Sequence, residues 1–136
     1  MLSPTLIRIY EKTHYCFNST ILRIMQPSIE AKTLLEPSSP KGGVFITAWN
    51  PLGKKVTDVV NRNANIELKE ELVKQGLNII HGYGESADGQ WREYSFFAYP
   101  VSKNTSLLLC RNFRQNAVVY ISSEGLPELL LNPDCV

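Results

Sequence analysis

Residues 44–76, VFITAWNPLGKKVTDVVNRNANIELKEELVKQG, decide how the rest of the chain is read. Val44 to Trp49 is an apolar run closed by Asn50-Pro51, the composition of a strand entering a turn. The segment beyond the turn has helical spacing. Thr57 or Asp58 can cap it, Glu70 and Lys74 form a favourable pair four residues apart, and Gly76 supplies the stop. Asn61, Asn65, Leu68 and Leu72 fall at i, i+4, i+7 and i+11, one stripe that faces a sheet.

Downstream, Leu77 to Tyr83 reads as a second strand, and Glu85 to Gln90 (ESADGQ) has the polar and glycine content of a hairpin turn. Trp91 to Val101 is a third strand whose end Pro100 makes irregular. Asn104 to Phe113 reads as a helix, Ala117 to Ser122 as a fourth strand, and Leu129 to Leu131 as a short edge segment. Upstream, Ser3-Pro4 opens a short helix over Thr5 to Lys12. Tyr15 to Met25 is a strand or tight hairpin, and Gln26 to Gly43 a loop with one helical turn at Ile29 to Leu35. The order from residue 44 to 122 is β-α-β-β-α-β. That order predicts an α+β, ferredoxin-like fold: a four-stranded antiparallel sheet with two helices on one face, plus the N-terminal helix and strand. Residues 1–136 are read as a single domain, with 1–43 the N-terminal elements, 44–122 the βαββαβ core and 123–136 a C-terminal tail.

The composition restricts function. Fourteen basic residues against 13 acidic ones leave a net charge of +1, too weak a field for sequence-independent binding to DNA or anionic membranes. The longest charge-free stretch, Gly42 to Gly53, is far short of the roughly 18 apolar residues of a spanning helix. Cys16, Cys110 and Cys135 are odd in number and lack metal-ligand spacing, which reads as reduced thiols of a cytoplasmic protein that binds no metal or other cofactor.

Four stretches together resemble a bacterial family called domain of unknown function 3293. They are FITAWNP (Phe45 to Pro51), GYG (Gly82 to Gly84), Trp91-x-Glu93-x-Ser95-Phe96, and Gln115-Asn116-Ala117. The resemblance runs over residues 15 to 131 and includes asparagines matching Asn61 and Asn65 and leucines matching Leu68 and Leu72. Arg114 stands where that family has glycine, and Ala64 where it often has arginine. The resemblance implies no activity.

No nucleophile elbow, zinc-protease or phosphate-loop motif is present. The candidate site is geometric instead. In a βαββαβ sheet the end of the first strand, the start of the helix after it, and the starts of the third and fourth strands meet at one edge. That placement predicts convergence of Thr47, Trp49, Asn50, Asn61, Asn65, Trp91, Glu93, Ser95, Gln115 and Asn116. The amides and Glu93 suit a polar ligand such as a nucleobase, nucleoside or nucleotide, with an indole for stacking. Binding is favoured over catalysis, because amides do not transfer protons at neutral pH and only Glu93 could act as a base. Two other readings stand beside it. The amides can form a purely structural network, with function through a protein partner. Alternatively, Arg92 to Tyr99 and Val44 to Ile46 resemble the strand motifs with which RNA-recognition modules stack single-stranded bases, except that Glu93 stands where the motif has glycine.

Overall fold

The computed structural model of the protein describes residues 2–135. Its strands are β1 (His14–Phe17), β2 (Thr20–Leu22), β3 (Gly42–Ile46), β4 (Asn78–Glu85), β5 (Arg92–Val101), β6 (Ala117–Ile121) and β7 (Pro127–Leu131). Its α-helices are α1 (Pro4–Lys12), α2 (Ile29–Leu35), α3 (Asp58–Lys74) and α4 (Lys103–Asn112). All strands join one curled antiparallel sheet in the order β2-β1-β4-β5-β3-β6-β7.

This corrects the expectation of a four-stranded ferredoxin-like sheet. Seven strands pair, not four, and helices contribute to the cores on both faces. The physical reason lies at the edges. A sheet ending at β4 and β6 would present unpaired backbone groups along both of them. Instead β1 pairs with β4 in the register His14↔Glu85 to Phe17↔Gly82, and β7 pairs with β6 from Ala117↔Leu131 to Ile121↔Pro127.

The helices begin where hydroxyl caps stand. Ser3 Oγ accepts from Leu6 N at 3.1 Å, Thr57 Oγ1 from Val60 N at 3.3 Å, and Ser102 Oγ from Thr105 N at 3.1 Å. Helix α3 stops at Gly76, whose φ of +76° closes the last turn. On one face of the sheet Leu68 and Leu72 of α3, and Leu109 and Cys110 of α4, pack on Val44, Ile46, Phe96 and Val118. On the other face Ala31 and Leu35 of α2 pack with Phe17, Phe45, Phe97, Val119 and Ile121. Pro100 lies at a bulge: Gly42 pairs with Val101 but Val44 with Ala98, so two residues of β5 oppose the single Gly43. The turn between β6 and β7 needs Gly125, with φ of +85°, because a Cβ there would run into the Ser28 carbonyl oxygen.

Among the described residues no helix is long and apolar enough to cross a membrane. Cys16, Cys110 and Cys135 are unpaired.

Candidate functional site

Strand alternation sends Phe45, Glu93, Ser95, Phe97, Val119 and Ile121 toward the face carrying α2. Toward one end of that face the apolar floor gives way to Thr47, Glu93 and Ser95. Helix α1 stands over this polar end and contributes Leu6, Ile9 and Tyr10, one stripe at i, i+3 and i+4. Between helix and sheet lies a cavity of about 260 Å³. Gly84 of β4 also lines it, and a Cβ added there would meet nothing closer than 3.8 Å, so the missing side chain leaves space.

Of the residues singled out in the sequence, Thr47, Trp49, Asn50 and Trp91 line this cavity. Glu93, Ser95, Gln115 and Asn116 line it too. Asn61 and Asn65 do not. They project from α3 on the other side of the β3–α3 connection, 1% and 8% exposed, and are taken up by backbone groups and the Asn50 side chain. Asn65 Oδ1 accepts from Ala48 N at 2.8 Å while its Nδ2 donates to the Tyr94 carbonyl at 3.0 Å. Asn61 Oδ1 accepts from Asn50 N at 2.7 Å and its Nδ2 donates to Asn50 Oδ1 at 2.9 Å. These two amides hold the chain after β3, where Asn50 adopts a left-handed conformation (φ 46°, ψ 69°).

The rest of the wall is fixed in the same way. Gln115 Nε2 donates to the carbonyls of Trp49 and Phe113 at 3.3 and 3.2 Å. Thr47 Oγ1 donates to the Tyr94 carbonyl at 2.6 Å and accepts from Trp49 N at 3.1 Å. Helix α1 is tied down by Asn116 Nδ2, which donates to the Tyr10 hydroxyl at 3.3 Å, and by the Tyr15 hydroxyl, which donates to the Tyr10 carbonyl at 2.7 Å.

Glu93 is the electrostatically unusual group. Burial lifts its carboxyl from 4.5 to about 7, against a smaller downward pull from the Asn50 side chain. The Tyr10 phenol is held above its ordinary value, first by burial, with the Glu93 charge adding to it. No Lys, Arg or His lines the cavity. Among the described residues no group of three or more His, Cys, Asp or Glu gathers as a metal site would need.

Leu6, Ile9, Tyr10, Thr13, Tyr15 and Gly84 were not among the site residues expected from the sequence, although the spacing of the first four marks one helical face. Tyr10→Phe removes the acceptor for Asn116 and is expected to cost about 1 kcal/mol in urea unfolding. No loss at all would show that the tie does not hold α1. The strands that resemble RNA-recognition motifs direct Phe45 and Phe97 into the core, where Phe97 stacks on Phe17 at 4.4 Å. Phe97 is fully covered by protein, and Phe45 reaches only the floor of the cavity, 4% exposed.

Known proteins offer one point of comparison. A family model described as Protein of unknown function (DUF3293) matches residues 46–118, which run from the end of β3 into β6 and include the polar wall of the cavity. No curated protein and no solved structure matches the chain. The chain belongs to the DUF3293 family of proteins of unknown function.

Proposed function

We propose that the cavity beneath α1 binds a small, polar, planar molecule of the nucleobase or nucleoside class, and that the protein acts as a cytoplasmic binding module. The observation that supports this most is the chemistry of the lining: two indoles, a carboxyl and side-chain amides, with no basic side chain. Aromatic faces and a few fixed polar groups are what a flat heteroaromatic ligand needs. The absence of Lys and Arg from the lining leaves nothing to neutralise a phosphate, so a base or nucleoside fits better than a nucleotide. The volume lies just below the usual range of ligand pockets, which suits a base better than a larger ligand. Apart from Glu93 the polar lining consists of amides, hydroxyls and indole N–H groups, which position a ligand without exchanging protons near neutrality. The cytoplasmic assignment rests on three unpaired cysteines.

A thermal-shift panel of bases, nucleosides and nucleotides tests the reading. A ligand at 100 times its dissociation constant stabilises by about 2.7 kcal/mol, a shift of roughly 10 °C for a domain of this size. Bases or nucleosides should produce it, and added phosphates should weaken it. Gly84→Val supplies the control, since valine suits a strand and fills the cavity without removing a polar group. The proposal fails if no base or nucleoside shifts the melting temperature, or if the shift survives in Gly84→Val.

A further inference from the structure

We infer that the occupant of the cavity meets Glu93 with two parallel N–H donors on one planar edge, the edge shared by amidines, guanidines and guanine-type bases. The inference rests on the cavity being a binding site and adds the feature by which that site selects its ligand.

The hydrogen-bond inventory of the wall carries the argument. The Thr47 hydroxyl donates to the Tyr94 carbonyl, and the Ser95 hydroxyl to the carbonyl of Glu93 itself at 3.0 Å. The Gln115 amide donates to Trp49 and Phe113, and the Asn116 amide to Tyr10. The Thr47 and Ser95 hydroxyls and the Gln115 and Asn116 amides are thus committed to the protein's own acceptors. Among the described residues the Asn50 side chain alone pulls the Glu93 carboxyl down. A carboxylate has about four acceptor positions. The remaining ones face a cavity that no Lys, Arg or His lines among the described residues, so a desolvated negative charge is left for the ligand to satisfy. A two-donor edge satisfies it in the bidentate geometry that makes such pairs strong. Trp49 and Trp91 in the same lining suit a flat, electron-poor ring carrying those donors.

The carboxylate form is the one that can accept both donors. The titratable groups facing it are Tyr10 from α1 and Tyr15 from β1, both held above their ordinary values by burial. Neither ionises between pH 6 and 8. Arg92, the next residue on β5, lies on the opposite face, paired with Glu85 at 2.6 Å. Binding of a two-donor ligand therefore strengthens as pH rises through about 7, where Glu93 loses its proton.

Isothermal titration of the full chain with two matched pairs of probes provides the test. Guanosine is set against inosine, which lacks one of the two donors, and benzamidine against benzamide. At pH 8 the two-donor member of at least one pair should bind about 10- to 100-fold more tightly, the worth of one charge-assisted hydrogen bond. Its affinity should fall about tenfold at pH 6, where only a minor fraction of Glu93 is ionised. Glu93→Gln should abolish the preference, since an amide presents one acceptor and one donor group in place of two acceptors. Equal binding within both pairs overturns the inference, as does a preference that persists in Glu93→Gln or ignores pH. No binding by any of the four probes overturns it too, and the base and nucleoside panel with Gly84→Val then shows separately whether the cavity binds at all.

Discussion

Asn65→Ala is expected to lower the unfolding free energy by about 2 to 3 kcal/mol, although alanine is the better helix former. The amide carries the contact between the chain after β3 and β5 beyond Ile46↔Phe96, where their backbone ladder ends. Its oxygen takes the N–H of Ala48, a residue 2% exposed, just past the end of β3, and its nitrogen reaches the Tyr94 carbonyl on β5. After truncation the Ala48 N–H has no acceptor and no water to replace one. The Tyr94 carbonyl suffers less, because the Thr47 hydroxyl still donates to it. The asymmetry gives a second handle. Asn65→Asp keeps an acceptor for Ala48 but loses the donor to Tyr94, so it should cost less than Asn65→Ala above the titration of the new carboxyl. Urea unfolding of the three proteins measures both. An alanine penalty below about 0.5 kcal/mol, the range of an ordinary surface change, would mean the connection after β3 is held by something else.

The second large effect is a dependence of stability on pH set by one residue. The Glu93 carboxyl titrates at about 7 in the fold, against 4.5 when exposed. The folded state therefore holds a proton that the unfolded chain releases, and stability falls as pH rises between those values. The contribution is whole below about pH 4.5 and lost by the time pH has passed 7. Burial is the cause, so the charged form is the disfavoured one. Between pH 5 and pH 8 the loss should amount to about 2 to 3 kcal/mol. Glu93→Gln should flatten that slope, and the difference between the two proteins removes every other titrating group from the comparison. Parallel stability curves for the two proteins across that interval would show that Glu93 is solvated and titrates normally. A ligand that pairs with the carboxylate should restore stability on the alkaline side, which links this measurement to the binding experiments.

Most elements are legible in this sequence, short ones such as Ile29–Leu35 included, but how they join is not. The stripe Asn61-Asn65-Leu68-Leu72 identifies α3 and its inward face, and Gly76 its end. The extent of the sheet is not legible. Strand β2 has three residues and β1 four, too few for alternation to speak, and they become strands by pairing with each other and with β4. Residues 15–25 read as a strand or tight hairpin and 129–131 as an edge segment, but nothing in the sequence joins them to the four-stranded core. The site divides along the same line. Trp91 to Ser95 and Gln115-Asn116 fall at strand starts, so their approach to Trp49 and Asn50 follows from antiparallel pairing. The role of α1 does not follow, because nothing in nine residues says over which part of the sheet they will lie. Asn61 and Asn65 admit two readings in the sequence, a ligand site or a structural network, for a simpler reason. An asparagine on an inward face serves a ligand or the backbone equally well, and here the unpaired groups after β3 are nearer.

Arg92 and Glu93 are covalent neighbours of opposite charge, yet the pleat of β5 keeps them from neutralising one another. Arg92 lies over the Tyr83 ring at 3.9 Å and pairs with Glu85 on one side of the sheet, while Glu93 faces the cavity on the other. What assigns them is the pairing Glu85↔Arg92 and Gly84↔Glu93 across the β4–β5 hairpin. A slip of one residue along that hairpin would exchange the two sides, bringing a guanidinium under α1 and exporting the carboxylate. The sign of the charge in the cavity is thus encoded in the alignment of two strands as much as in the identity of residue 93, and the length of the turn at Ser86–Trp91 is one of its determinants.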